Sequence, residues 1–111
     1  MDPMEAVPQV PAADVPPDAV LVDVREPDEW TAGHAPEARH IPLGEVSVRH
    51  GEIPRDCDVY VICRSGARSA RAAQALAEAG WATRNVADGM QGWQAAGRPV
   101  VTDSGAPPYV A

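Results

Sequence analysis

Phenylalanine is absent from this 111-residue chain, tyrosine and cysteine occur twice each, and tryptophan three times. Core packing must therefore rest on Val, Ile, Leu and the three Trp, within an ordinary globular balance of 45% hydrophobic and 23% charged residues. The length suits one compact domain and leaves no room for a second core. Basic residues are scarce: nine against 16 acidic ones give a formal charge of −7, which disfavours long-range attraction to nucleic acid or to an anionic membrane. Any anionic substrate would need a locally basic pocket, and Arg64 and Arg68 lie close enough in sequence to form one. No stretch approaches the roughly 20 apolar residues of a membrane-spanning helix. Acidic Asp2 and Glu5 stand where a secretory signal would be basic, so a cytoplasmic location is expected.

Two cysteines are also too few for a disulfide scaffold. If the residues between Cys57 and Cys63 form an extended strand, the two lie about 20 Å apart at ~3.3 Å per residue, well beyond bridging range. Cys63 is then to be read for reactivity, and Cys57 as inert.

Prolines at 3, 8, 11, 16 and 17 break the first 18 residues, which are expected to be a tail with an edge strand near Val7 to Val10. The domain proper is expected over 19–101, with a loosely ordered tail at 102–111. Ala19 to Val24 is an apolar run closed by charges, as in a buried central strand. Pro27-Asp28-Glu29-Trp30 has the proline and acids of a helix start. Gly33 to Pro42 reads as loop with a brief strand at His40-Ile41, and Leu43 to Ile53 as one weak helix. Asp58 to Ile62 is the strongest strand, β-branched and bounded by turn formers. Ala67 to Ala79 is helix-forming, with Ala70, Ala73, Leu76 and Ala77 at helical spacing, and Gly80 stops it. Thr83 to Ala87 predicts a strand and Met90 to Ala96 a short helix. Alternating strands and helices give an α/β fold with a largely parallel sheet, where ligands bind beyond the C-terminal strand ends.

Cys63 sits at such an end, heading Cys63-Arg64-Ser65-Gly66-Ala67-Arg68-Ser69, a loop that opens directly into a helix. Unpaired N–H groups and the positive end of a helix dipole favour an anion there. A cysteine in that setting beside two guanidinium groups should be a thiolate near neutral pH, hence a nucleophile. Gly66 permits a backbone conformation that a side chain would penalise, and Ser65 and Ser69 can donate hydroxyl hydrogen bonds or cap the helix. The bland reading, a buried strand-end cysteine, is outweighed by the polar, cationic loop that follows.

This loop, together with Leu21-Val22-Asp23-Val24-Arg25-Glu26, Glu29-Trp30-x-x-Gly33-His34 leading to His40-Ile41-Pro42, and Gly89-x-x-x-Trp93, resembles rhodanese homology domains, with the four signatures in the family's order. The resemblance implies a five-stranded, mainly parallel sheet flanked by helices on both faces, with Cys63 forming a persulfide among the backbone amides of residues 64 to 68. It implies a sulfurtransferase that moves sulfane sulfur from a donor such as thiosulfate to cyanide or a thiol, with no cofactor and no metal. Glu37 and Asp88 stand where the family often has glycine, which questions local turn geometry more than chemistry.

Within that frame, Arg64 and Arg68 are candidate contacts for the sulfonate end of a donor, since guanidinium forks match oxyanions. Asp23 and Arg25 are expected to brace the active loop through a salt bridge. His34 and His40 lack the dense ligand spacing of a zinc site and are read as loop hydrogen-bonders. Trp30, Trp81 and Trp93 are read as core or rim packing, with a place for Trp93 near the pocket mouth as one option. Two other classes compete. Cysteine-dependent phosphatases and arsenate reductases look like Cys, five residues, then Arg; here four residues separate Cys63 from Arg68, which suits a single sulfur atom better than a phosphoryl group. A non-enzymatic sulfur-relay or partner-binding module of the same fold is not separated from an enzyme by sequence.

Overall fold

The computed structural model describes residues 7–111. Five strands, β1 (Gln9–Val10), β2 (Val20–Asp23), β3 (Arg39–His40), β4 (Val59–Ile62) and β5 (Thr83–Val86), form one sheet in the order β1-β5-β4-β2-β3, with every pairing parallel. Helices α1 (Pro27–Ala32), α2 (Val46–Arg49) and α3 (Ala67–Glu78) connect the strands from β2 to β5, and α4 (Gly89–Ala95) follows β5. β4, the run richest in β-branched residues, is central, paired to β2 on one side and β5 on the other. β1 lies inside the edge strand expected at Val7 to Val10; the rest of that N-terminal segment up to residue 6 lies outside the described residues.

Period-two alternation along β2 and β4 divides the apolar side chains between two clusters. Val22, Val59, Val61 and Cys63 face α3, Ile53 and Trp81, while Leu21, Ile62 and Val86 face Met90 and Trp93 of α4. Both faces of the sheet are thus covered, as a parallel sheet requires. Cys63 is 1% exposed and belongs to the first cluster. Trp93 belongs to the second, where its Nε1 donates to Pro99 O at 2.8 Å, so it lies on the opposite face from Cys63 and not at the mouth of its pocket.

Three other sequence expectations need correction. Leu43 to Ile53 is a 3₁₀ turn (Leu43–Glu45), the single turn α2, and a second 3₁₀ turn (His50–Glu52). Its apolar residues do not keep one face: Val46 and Ile53 are buried while Val48 is 79% exposed, so packing supports no continuous helix. The buried face of α3 is Ser69, Ala72, Ala73 and Leu76, rotated from the alanine spacing because Ser69 turns inward to Cys63. The C-terminal segment expected to be loose is anchored: Tyr109 N–H donates to Ala32 O at 3.0 Å, and Val110 packs on the second cluster. The residues in place of family glycines cause no strain. Asp88 has φ −101°, and no residue other than glycine has positive φ among the described residues.

Candidate functional site

β4 ends at Ile62, and Cys63 begins a turn that runs into α3 through Gly66, whose φ of 102° is left-handed. An added Cβ at Gly66 would lie 2.1 Å from Ala87 O, so glycine is required both by conformation and by the approach of the chain leaving β5. The turn curls around Cys63 Sγ: Gly66 N–H donates to it at 3.1 Å and the Ser69 hydroxyl at 3.3 Å. Burial pushes the Cys63 thiol up. The Ser69 hydroxyl and the backbone N–H groups of Ser69, Gly66 and Ser65 outweigh burial and hold it below the ordinary thiol value. Dipoles of the surrounding donors are thus the chief influence favouring the ionised form of this buried sulfur.

The loop is fixed from outside by α4. Met90 N–H donates to Cys63 O at 2.8 Å and Gln91 N–H to Arg64 O at 3.1 Å. This docking is so close that a Cβ on Gly89 would stand 2.4 Å from Arg64 O and 2.6 Å from Cys63 O, which explains the glycine at that position together with its φ of 58°. The loop carbonyls are thereby consumed on one side, leaving the N–H groups directed at sulfur.

The two arginines of the loop differ in their pairing. Arg68 is closed in a bidentate pair with Glu29, Nη1 to Oε1 at 2.7 Å and Nη2 to Oε2 at 2.9 Å. Glu29 is held in turn as the third residue of an N-terminal capping box on α1, its Oε1 accepting from Glu26 N–H at 2.9 Å. The Arg68 hydrogen bonds, against some opposition from burial, lower the Glu29 carboxyl to about 2. The same pairing raises Arg68 above its ordinary value. The fork of Arg68 thus faces a carboxylate of its own chain, and Arg64, exposed to solvent, is the loop guanidinium whose fork is open among the described residues.

Asp23 and Arg25 form the expected pair, both fully buried, with Nε to Oδ1 at 2.9 Å and Nη2 to Oδ2 at 2.8 Å. Among the described residues the pair makes no side-chain hydrogen bond to the cysteine loop. Arg25 donates instead to Gly33 O at 2.7 Å and Glu29 O at 3.3 Å, fixing α1 and the residue that follows it. Its hold on the loop is relayed: Arg25 positions the Glu29 main chain, and the Glu29 side chain positions Arg68. His34 and His40 stack on the two sides of Trp30 at 3.6 and 4.8 Å, with ring nitrogens 2.8 Å from Trp30 O and Arg25 O respectively. Among the described residues no group of three His, Cys, Asp or Glu could hold a metal ion. Cys57 is exposed and free, and Cys63 is free as well.

Sequence reasoning missed Glu29 as a partner of Arg68, because 39 residues separate them and its acid reads only as a helix-start residue. It also missed Asn85 of β5, whose Nδ2 donates to Gly66 O at 3.2 Å and to Gln9 Oε1 at 2.8 Å. No local signal marks Asn85, since its role arises from strand pairing.

Comparison with known proteins agrees with this geometry. The family model described as rhodanese-like domain matches residues 11–96. A protein named sulfurtransferase from Allochromatium vinosum is 39% identical over 89 residues, 79% of this chain and 83% of the relative. A Bacillus subtilis protein provisionally named sulfur carrier protein YrkF is 42% identical over 74 residues, 66% of this chain and 40% of the relative. The crystal structure of a rhodanese-related protein from Thermoplasma volcanium superposes with a TM-score of 0.81 at 33% identity, covering 86% of this chain and 99% of that one. The chain belongs to the rhodanese-like domain family.

Proposed function

We propose that this protein is a sulfurtransferase in which Cys63 carries sulfane sulfur as a persulfide. The observation that carries the reading is the cup itself: a buried sulfur facing Gly66 N–H and the Ser69 hydroxyl, its thiol held below the ordinary value. The Cys63 thiolate attacks the outer sulfur of thiosulfate, a sulfur–sulfur bond forms, and sulfite leaves with the electron pair of the broken bond. The charge now rests on the outer sulfur of Cys63–S–S⁻, where the loop N–H groups stabilise it as preorganised donors do in oxyanion holes. Cyanide or a thiolate then attacks that outer sulfur, and the thiolate of Cys63 departs, ready for a second cycle.

Arg64 is the candidate contact for the sulfonate of thiosulfate, because Arg68 is committed to Glu29. A single exposed guanidinium supports weak thiosulfate binding, so saturation at high donor concentration is expected. The commitment of Arg68 also speaks against phosphoryl chemistry, which needs a fork free to grip the transferred group. A second reading, sulfur relay from a protein persulfide, is favoured by the same observation, since such a donor brings no sulfonate to be bound.

Incubation of the purified protein with thiosulfate is expected to add about 32 Da at Cys63, the mass of one captured sulfur. Cys63→Ser should show no adduct and no thiosulfate:cyanide transfer, and Arg64→Ala should raise KM for thiosulfate with little change in kcat. Failure of every sulfane donor to label Cys63 would overturn the proposal, as would hydrolysis of a small aryl phosphate without sulfur transfer. Labelling by a protein persulfide but not by thiosulfate would select the relay.

A further inference from the structure

Three donors converge on the Gly66 carbonyl. Ala70 N–H reaches it at 3.1 Å as the first turn of α3, Asn85 Nδ2 at 3.2 Å from β5, and the Ser69 hydroxyl at 3.2 Å. A carbonyl oxygen has two lone pairs, so one of the three is in excess. The first two are fixed. Ala70 N–H is set by the helix, and Asn85 is pinned by its second N–H on Gln9 Oε1 at 2.8 Å. Gly66 O only accepts, so it fixes which end of the Asn85 amide faces it; the amide oxygen is left buried without a partner among the described residues. The Ser69 hydroxyl is the one donor of the three that can rotate, and its other acceptor is Cys63 Sγ at 3.3 Å. Ser69 is fully buried, so water does not compete for it.

We propose that Ser69 is a positioning residue whose hydroxyl points at Cys63 Sγ while that sulfur is a bare thiolate and returns to the Gly66 carbonyl once it bears a second sulfur, with Asn85 setting the balance by occupying that carbonyl. This rests on the persulfide reading above. The physical cause is the movement of charge. In the thiolate the negative charge lies on Sγ, where a hydroxyl donor stabilises it. In the persulfide it lies on the outer sulfur, ~2 Å away along the new bond, and Sγ becomes a weak neutral acceptor. No proton is transferred: only the direction of one O–H changes. Ser69 therefore stabilises the form that accepts sulfur and leaves the loaded form alone, biasing the site toward release.

The test uses the full chain in four forms: wild type, Ser69→Ala, Asn85→Ala and the double variant. The pH midpoint of Cys63 alkylation by iodoacetamide is expected to rise by about one unit in Ser69→Ala, a tenfold loss of thiolate below the midpoint. Asn85→Ala should raise it by less, because an emptied Gly66 carbonyl draws the intact hydroxyl away from sulfur. The double variant should match Ser69→Ala; additive shifts would mean that Asn85 acts on the loop by another route and would overturn the coupling. At a pH above all midpoints, the ratio of persulfide to thiolate at fixed thiosulfate and sulfite should rise about tenfold in Ser69→Ala, the same factor as the lost thiolate stabilisation. An unchanged midpoint, or an unchanged ratio with an adduct present, overturns the switch while leaving sulfur capture standing. Absence of the adduct in every form removes the persulfide reading and with it the return of the hydroxyl. Should Ser69→Ala fail to fold, Asn85→Ala alone must raise the midpoint or the proposal falls.

Discussion

Replacing Glu29 by Gln would open the clamp that joins α1 to the cysteine loop. The native pair comprises two charge-assisted hydrogen bonds, at 2.7 and 2.9 Å, between side chains that are 32% (Arg68) and 16% (Glu29) exposed. Glutamine keeps one acceptor but turns an N–H₂ toward the second guanidinium nitrogen, so one bond is lost and the ionic attraction with it. Hydrogen bonds to charged groups contribute roughly 1.5–3 kcal/mol, and partial exposure dilutes that toward about 2 kcal/mol. With a urea slope of about 1–1.5 kcal/mol/M for a chain of this size, the midpoint of unfolding should fall by about 1.5 M. The pH dependence checks the cause. Glu29 is lowered from 4.5 to about 2 in the folded protein, so its contribution is fully present above pH 4.5 and is lost as pH falls toward 2. The stability gap between wild type and Glu29→Gln, measured by urea denaturation at steps from pH 6 to pH 2.5, should therefore narrow across that window. A gap that is absent at pH 6, or that stays constant down to pH 2.5, would refute the assignment of this ion pair as the clamp.

Other consequences follow from the same geometry. Asp23→Asn leaves the fully buried Arg25 without its counter-charge, and thermal unfolding should show a loss of about 3–5 kcal/mol. Gly89→Ala drives a methyl group into the carbonyls of Cys63 and Arg64 at a φ of 58°; it should cost at least about 2 kcal/mol and slow alkylation of Cys63, because the loop must shift to relieve the overlap. Iodoacetamide should label Cys63 in wild type with a pH midpoint below that of an ordinary thiol. Cys57 supplies the internal comparison, and coincident midpoints for the two cysteines would contradict the cup geometry.

Much of the architecture was legible from the chain alone, and the failures have a common form. β4 announced itself through Val59-Tyr60-Val61-Ile62 between turn formers, and α3 through a helix-forming run ended by Gly80, because both signals are local. The cysteine loop was legible for the same reason. What stayed hidden depends on residues brought together by folding. Glu29 and Arg68 meet across 39 positions, and Asn85 reaches Gly66 only because β5 lies beside β4. The pairing of Arg68 with Glu29 was hidden because nothing in the sequence neighbourhood of Arg68 discloses its partner. Leu43 to Ile53 misled in the opposite sense: its composition permits helix, but scattered burial of Val46 and Ile53 dictates three short turns. The anchoring of the C-terminal segment could not be seen either, because Tyr109 is tied through its backbone to Ala32.

The docking of α4 on the loop carbonyls has a consequence for redesign. With the Cys63 and Arg64 carbonyls bound by Met90 and Gln91, the orientation of these peptide planes is dictated by main chain alone. The side chains at 64, 65 and 67 point outward into solvent and take no part in holding that orientation. Electrostatics at the sulfur and chemistry at the rim are therefore separable properties. A library randomised at these three positions should yield variants that keep an activated cysteine while exchanging one partner or donor for another. Randomising Gly66 or Gly89 should yield none.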